Sequence, residues 1–266
     1  MMDPQEPQFI EVGQGPKRRR IAYRWSDSAA GGTAILWLCG FLSDMAGSKV
    51  QSLSEWAEAC GHAMLRFDYS GHGVSPGNLL EASIGDWLEE ATAMLDLIGR
   101  QRVVIVGSSM GGWIALLMAR ALAKAGDTRL VGLVLIAPAW DMTEKLMWEK
   151  MSPKTKGIVE TEGVYYAPSN YDAPYPLTKI LIEEGRNHLV ADGGIALNAP
   201  VRILQGLRDP DVPWQHALAL VDLIASDDVE MTLVKDGDHR LSGLEDLRRL
   251  ERTVAALIGP DGPRRE

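Results

Sequence analysis

The sequence predicts an α/β protein with a mostly parallel central sheet flanked by helices, and two observations support this fold class. Several short runs are apolar along almost their whole length, such as residues 33–40 (TAILWLCG) and 102–108 (RVVIVGS), which is typical of strands buried on both faces. Segments with apolar residues at helical spacing lie between these runs, as in residues 83–99. Strands that alternate with helices form mostly parallel sheets with helices on both faces.

The strands are predicted from their runs of apolar and branched side chains. Two leading antiparallel strands are expected near residues 9–13 and 20–25. The basic run at residues 17–20 (KRRR) is expected to form the solvated face of an edge strand, where charge blocks pairing with another sheet. The other strands are predicted within residues 33–40, 62–73, 102–108, 130–139, 201–206 and 229–237.

The helices are predicted from apolar residues that recur every three or four positions. The first, residues 48–61, closes at Gly61, and the second begins with a plausible capping pair formed by Ser83 and Asp86. The helix over residues 110–126 has few polar positions, so we expect it to be deeply buried. Amphipathic helices are further predicted at residues 214–225 and 244–258.

Residues 141–199 break this alternation. They show no strong strand and are rich in Met, Trp, Tyr and Pro. About sixty residues cannot form a bare loop in a compact domain, so we predict a lid inserted after a strand. The core of the single domain is then residues 1–140 and 200–259, and residues 260–266 form a loose tail.

The composition restricts the class of partner and the compartment. The formal charge of −9 argues against nucleic acid or an anionic membrane as the main partner, because both favour clustered Lys and Arg. The two cysteines, Cys39 and Cys60, cannot form a disulfide framework or a metal site of the usual spacing. The longest apolar stretch, residues 130–140, is too short to span a bilayer, and no signal-peptide core is evident. We therefore expect a cytoplasmic protein.

A G-x-S-x-G motif at residues 107–111 places Ser109 between a predicted buried strand and a predicted helix. In this context the central serine occupies a sharp turn with its hydroxyl projecting. Gly107 and Gly111 supply clearance where a Cβ would meet neighbouring backbone. The helix N-terminus then favours anionic intermediates. The alternative is a glycine-rich turn in which both serines are idle.

A serine nucleophile needs a base that is itself oriented by a carboxylate. Among five histidines, His239 lies in the loop between the last predicted strand and the last helix, and we expect it to be the base. Asp209 follows the strand at residues 201–206 and is expected to orient it, with Asp211 as the alternative and Asp238 as a turn residue. Helix-surface or loop-stabilising roles are expected for the remaining histidines: His62, His72, His188 and His216. This assignment is least clear for His188, because it lies in the lid.

The chain order Ser109, Asp209, His239, each after a strand, resembles the α/β-hydrolase superfamily over nearly the whole sequence. The segment DYSGHGVSPG at residues 68–77 matches the D-x-x-G-x-G-x-S loop of that family. The resemblance implies that Asp68 and His72 hold this loop in shape. The segment LCGFLSDM begins with Leu38, so Cys39 stands where the family usually carries the histidine of His-Gly-Phe.

The resemblance also implies an oxyanion site. We assign its two donors to the backbone N–H groups of Phe41 and Met110. The longer segments LRFDYSGHGVSPG, GSSMGGW, LIAPAWDMTE, YPLTKILIEEGRNH and GDHRLS are similar to the depalmitoylating α/β-hydrolase-domain esterases of mitochondria and their bacterial relatives. This branch implies hydrolysis of thioesters and acyl glucuronides.

The expected function is therefore hydrolysis of carboxylic esters or thioesters, on small molecules or acylated proteins, through an acyl-enzyme and with no cofactor or metal. The lid is expected to select the acyl group, with a pocket that includes Met147, Trp148, Tyr165 and His188, although most lid residues could simply pack on the core. Leu146, Met151 and three more tyrosines, Tyr166, Tyr171 and Tyr175, accompany them. Alternative functions are a cofactor-free haloperoxidase or perhydrolase, a carbon–carbon bond hydrolase, and a non-catalytic binding protein on the same fold.

Overall fold

The computed structural model describes residues 6–28, 32–168, 174–191 and 193–259. Its main sheet has eight strands in the order β1-β2-β4-β3-β5-β6-β10-β12. The strands are β1 (Gln8–Val12), β2 (Arg19–Ser26), β3 (Ala34–Leu38), β4 (Met64–Phe67), β5 (Val103–Ser108), β6 (Leu130–Ile136), β10 (Val201–Gly206) and β12 (Val229–Val234). The strands from β4 to β12 are parallel, and β1 and β2 are antiparallel. This is the mostly parallel sheet that the sequence predicts.

Seven α-helices are described: α1 (Ser48–Ala59), α2 (Ile84–Ile98), α3 (Met110–Ala125), α4 (Pro153–Glu162), α5 (Lys179–Gly185), α6 (Trp214–Leu223) and α7 (Leu244–Ile258). The side chain of Ser83 accepts a hydrogen bond from the Asp86 backbone N–H, so the predicted capping pair is present. In the described residues, no helix combines the length and the apolar character needed to cross a membrane.

The core lies on both faces of the sheet. All five residues of β3 are buried, and α3 is buried along most of its length, as the sequence predicts. Trp87 on α2 and Trp113 on α3 are fully buried. Burial of one aliphatic or Phe side chain in such a core stabilises the fold by roughly 1.5–3 kcal/mol relative to leaving that side chain in water.

Residues 141–199 lie between β6 and β10, and their described part contributes no strand to the main sheet. The sequence shows no strong strand in this segment, and the structure has three short ones in the described part of it. β7 (Val164–Ala167) and β8 (Tyr175–Thr178) form an antiparallel pair, and β9 (Ile195–Ala196) pairs with β11 (Ile224–Ala225). These strands are at most four residues long, so their apolar alternation is too short to stand out in sequence. The predicted tail, residues 260–266, lies outside the described residues.

The basic run beside β2 is not a uniformly solvated face. The Arg19 side chain is only 14% exposed and forms ion pairs with three acidic residues of α2, Asp86, Glu89 and Glu90. The prediction is therefore wrong for Arg19. β1 occupies the edge of the sheet, so β2 is an inner strand whose side chains reach α2.

Candidate active site

Ser109 occupies a sharp turn between β5 and α3. Its φ of 53° and ψ of −116° lie in a region that residues with side chains rarely adopt. Two glycines make the turn possible by the space they leave. A Cβ on Gly111 would lie 2.2 Å from the carbonyl oxygen of Leu38, and one on Gly107 would lie 2.3 Å from the carbonyl oxygen of Gly111. The close approach of backbone segments explains why the motif needs glycine at both positions.

The structure brings three distant side chains into hydrogen-bond contact. Nε2 of His239 lies 3.1 Å from Oγ of Ser109, and Nδ1 of His239 lies 2.8 Å from Oδ2 of Asp209. The three residues follow β5, β10 and β12, whose carboxyl ends meet at one edge of the parallel sheet. With the Nδ1 proton donated to the carboxylate, Nε2 is available to accept the serine hydroxyl proton.

Asp209 is held by more than the histidine. Its side chain has no exposed surface, and its Oδ1 accepts hydrogen bonds from the backbone N–H groups of Asp211 at 2.9 Å and Val212 at 2.8 Å. The Gln205 side-chain amide donates to Oδ2 at 3.2 Å. These bonds fix the orientation of the carboxylate toward His239.

Asp211, the alternative acid, lines the cavity described below. Ligand atoms of Asp209, Asp211 and His239 all lie within 4.8 Å of one another, a spacing that could hold a metal ion. The hydrogen bonds above already engage both oxygens of Asp209 and both nitrogens of His239. Asp238 is a turn residue, as predicted: its Oδ1 accepts hydrogen bonds from the backbone N–H groups of Arg240 and Leu241.

The two assigned oxyanion donors flank Ser109. Residues 40–43 form a turn closed by a hydrogen bond from the Ser43 N–H to the Gly40 carbonyl oxygen at 3.1 Å. This turn bond does not use the N–H of Phe41. A Cβ on Gly40 would lie 3.3 Å from the Cβ of Ser109, so the turn abuts the serine. Met110 is the first residue of α3, where an N–H has no acceptor within the helix.

A cavity of about 880 Å³ opens beside Ser109 and His239. Its size is in the range of small-molecule sites. One wall is apolar and comes from the lid: Met142, Leu146, Met147, Tyr175 and Leu177. Charged residues also line the cavity, including Lys150 from the lid: Asp44, Lys49, Lys150, Asp211 and Arg240. Burial lowers the pKa of Lys49 to about 8, and its ammonium donates a hydrogen bond to the Arg240 carbonyl oxygen.

Of the four predicted pocket residues, Met147 lines this cavity and Trp148, Tyr165 and His188 do not. The ring of Trp148 lies 5.0 Å from Nζ of Lys156 and 5.1 Å from Cζ of Arg186. Met147 and Trp148 belong to a short π-helix, Thr143–Trp148, in which adjacent side chains point in different directions.

The structure also places the other two predicted residues outside the cavity lining. Tyr165 pairs with Leu177 across the strands β7 and β8, but only Leu177 reaches the cavity. Nε2 of His188 lies 2.6 Å from Oε1 of Glu184, so the lid histidine braces its own helical segment.

The sequence reasoning named Tyr175 among the lid tyrosines, and the structure places it in the cavity lining, but the reasoning missed Leu177, which had a signal. Tyr175 and Leu177 are two positions apart on β8, and side chains at that spacing face the same side of a strand. Tyr171 lies outside the described residues.

The loop residues have the supporting contacts that the resemblance implies. Asp68 accepts the backbone N–H groups of Met45 at 2.7 Å and Val74 at 2.8 Å. Nδ1 of His72 bonds the Ser70 carbonyl oxygen at 3.2 Å. Cys39 is buried, and burial raises the pKa of its thiol, so it behaves as a neutral packing group.

The remaining histidines have partners other than the serine. Of the five, all of them in the described part of the chain, His239 alone lines the cavity. The ring of His62 lies 5.4 Å from that of Trp56. His216 is not on the helix surface as expected, because it stacks on Trp140 at 4.4 Å and bonds its carbonyl oxygen at 2.9 Å.

Comparison with known proteins shows which family this chain belongs to. Residues 35–169 match the family described as serine aminopeptidase, S33. A Bos taurus protein named palmitoyl-protein thioesterase ABHD10, mitochondrial, is 34% identical over 247 residues, which cover 91% of this chain and 78% of the bovine one. The chain belongs to the α/β-hydrolase family of serine hydrolases. The Homo sapiens protein of the same name is 33% identical over 245 residues, with the same coverage of 91% and 78%.

Solved structures of α/β-hydrolases show the same fold. A putative hydrolase from Agrobacterium vitis S4 superposes with a TM-score of 0.91 at 41% identity, covering 95% of this chain and 98% of the other. The α/β-hydrolase domain-containing protein 10 from mouse superposes with a TM-score of 0.82 at 32% identity, covering 94% and 98%. The predicted α/β-hydrolase fold is confirmed, and the chain is a hydrolase.

Proposed function

We propose that this α/β-hydrolase cleaves carboxylic thioesters and esters through an acyl-enzyme formed on Ser109. The observation that carries the proposal is the continuous line of hydrogen bonds from Asp209 through His239 to Ser109, which ends at the cavity. The relatives named palmitoyl-protein thioesterases support a thioester as the substrate and an acylated protein as its carrier, and we keep an acylated small molecule as the other expected carrier.

In the proposed reaction, Nε2 of His239 takes the proton of the Ser109 hydroxyl as Oγ attacks the acyl carbonyl carbon. The carbonyl oxygen becomes an oxyanion, which the N–H groups of Phe41 and Met110 stabilise. As the tetrahedral intermediate collapses, the bond to the leaving sulfur or oxygen breaks and His239 returns the proton to it. Loss of one oxyanion donor typically costs on the order of 100- to 1000-fold in kcat.

The second half of the reaction regenerates the enzyme. His239 removes a proton from water, the resulting hydroxide attacks the acyl-serine, and the carboxylic acid leaves as Ser109 regains its proton. Each proton is moved by His239 alone, so no step requires a metal or a cofactor. The apolar wall that includes Met142, Leu146 and Met147 suits an acyl chain, because such a wall removes it from water.

The test is a panel of p-nitrophenyl esters, acyl thioesters and acyl glucuronides assayed with wild type, Ser109→Ala and Ser108→Ala. Ser108 is the neighbouring buried serine at the end of β5 and provides the matched control. We expect Ser109→Ala to lose more than about 10⁴-fold in kcat and all labelling by a fluorophosphonate, and Ser108→Ala to retain both.

Other outcomes would identify the alternative functions. Turnover of peroxide and halide, or of a dienone with a carbon–carbon bond to cleave, without ester hydrolysis would replace the proposed reaction. A chain that binds acyl compounds but never reacts with the fluorophosphonate would be a binding protein. The cytoplasmic location stays a prediction, and the relatives' names state a mitochondrial one.

A further inference from the structure

We propose that Tyr175 on β8 is a positioning residue, which fixes the oxyanion-binding turn by stacking on Phe41. The proposal rests on the proposed function, because it assigns a task to the lid in that same reaction. The ring centroids of Tyr175 and Phe41 are 5.8 Å apart with an interplanar angle of 17°. Tyr175 would therefore act through the Phe41 backbone, without itself touching the reacting atoms.

Phe41 is in contact with rings of both the core and the lid. Besides Tyr175, its ring lies 5.9 Å from that of Trp87 and 6.0 Å from that of His72. Trp87 and His72 are buried in the core. The position of the Phe41 ring is thus set by contacts to two parts of the chain, the core and the lid.

The turn needs such support because its backbone is strained. Leu42, immediately after Phe41, has a φ of 57°, which is unfavourable for a residue with a branched side chain. Leu42 is also 43% exposed, so its own side chain gives the turn little packing. Within the turn, one backbone hydrogen bond, from Ser43 to Gly40, resists its opening. Packing of the Phe41 ring is therefore a major constraint on the direction of its N–H.

The lid is anchored to the same core helix that supports Phe41. Thr178, at the end of β8, caps α5 by accepting the Leu181 N–H at 3.0 Å. On α5, Oε2 of Glu184 accepts the N–H of Gly85 in the first turn of α2 at 3.0 Å. Since α2 also carries Trp87, the two rings that pack on Phe41 from the lid and from the core, Tyr175 and Trp87, are both positioned by the same helix. A lid anchored in this way can hold Tyr175 at a fixed distance from the turn.

The experiment compares Tyr175→Ala with Tyr175→Phe, using Tyr166→Ala as the matched control. Tyr166 lies on β7, pairs with Pro176 and is 53% exposed. The substrate is p-nitrophenyl acetate, whose acyl group is too short to depend on the lid wall. Because the donor is displaced and not removed, we expect kcat to fall about 10-fold in Tyr175→Ala, with KM within about threefold of wild type. Tyr175→Phe and Tyr166→Ala should keep kcat within about threefold.

A second readout reports the oxyanion site directly. A trifluoromethyl ketone forms a hemiketal with Ser109 whose oxygen occupies that site, so its affinity should fall about 10-fold in Tyr175→Ala and remain unchanged in Tyr175→Phe. If Tyr175→Ala does not fold, as judged by its thermal transition, Tyr175→Leu keeps the apolar bulk without the planar ring. For that variant we expect a loss of at least about fivefold in kcat.

The outcomes separate this proposal from the proposed function. A wild-type chain that does not hydrolyse the ester would remove the proposed function. If wild type is active, a Tyr175→Ala or Tyr175→Leu variant with unchanged kcat and raised KM would show an ordinary cavity wall and overturn the positioning role. An equal loss in Tyr175→Phe would overturn it as well, since the hydroxyl and not the stack would then matter.

Discussion

Substitution of Gly111 by alanine should displace the turn at residues 40–43, the proposed oxyanion site, while it leaves the side chains of Ser109, Asp209 and His239 chemically unchanged. The new Cβ would lie 2.2 Å from the Leu38 carbonyl oxygen and 2.6 Å from that of Cys39. Real Cβ contacts essentially never fall below 3.0 Å, so the Leu38 carbonyl and the first turn of α3 must move apart by at least about 0.8 Å. Leu38 and Cys39 lead directly into Gly40 and Phe41, so the shift reaches the proposed donor.

The magnitude follows from the displacement. A misplacement of about 1 Å in a catalytic group can cost on the order of 100-fold, so kcat for p-nitrophenyl acetate should fall about 100-fold. Overpacking should also lower the free energy of unfolding by about 1–3 kcal/mol. Initial-rate kinetics and urea unfolding measure the two effects on the same preparation.

Gly157→Ala is the matched control for this substitution. Gly157 lies in α4 with open space around its Cα, and alanine there should leave kcat unchanged and stabilise the helix by about 0.5–1 kcal/mol. A folded Gly111→Ala variant whose kcat stays within threefold of wild type would refute the link between the clash and the turn.

Three further results are expected. Asp209→Asn should lower kcat about 10⁴-fold, because the imidazole loses the carboxylate that orients it. Asp211→Asn should change kcat less than about fivefold. Equal losses of kcat in steady-state assays of the two variants would mean that both acids orient the base. Burial lowers the pKa of His216 to about 4 from an ordinary value near 6.5, so the unfolded chain binds the proton first as pH falls. Wild type should therefore lose on the order of 2 kcal/mol of stability between pH 6.5 and pH 4 relative to His216→Gln, and parallel urea-unfolding curves across that range would contradict the assignment. Glu184→Ala removes the acceptor of a backbone N–H at the start of α2 and should cost about 1–2 kcal/mol, whereas the exposed neighbour Glu183→Ala should cost less than about 0.5 kcal/mol in the same denaturation assay.

The sheet and the hydrogen-bonded site could be predicted because each has a strong local signal. Strands buried on both faces are apolar throughout, and the turn at Ser109 requires glycine at two fixed positions. Asp209 and His239 could be placed because each lies in the loop that follows a strand of a parallel sheet, and the carboxyl ends of such strands meet at one edge.

The roles of individual lid residues could not be predicted as those of the hydrogen-bonded site were, because the contacts of the lid are set by tertiary packing. Met147 and Trp148 are adjacent and both apolar, yet one faces the cavity and the other faces Lys156 and Arg186. No feature of the local sequence distinguishes these two residues. The role of Arg19 was missed for the same reason, since its acidic partners lie about seventy residues further along the chain.

Through the ion pairs of Arg19, β2 neutralises a buried negative charge on α2. Glu90 has no exposed surface, and it binds the Arg19 guanidinium together with the N–H and hydroxyl of Ser70. Truncation of β1 and β2 would leave this carboxylate without its cation, in surroundings that already raise its pKa by burial. A shortened version of the chain that keeps α2 but loses Arg19 should therefore be more stable when Glu90 is replaced by a neutral residue.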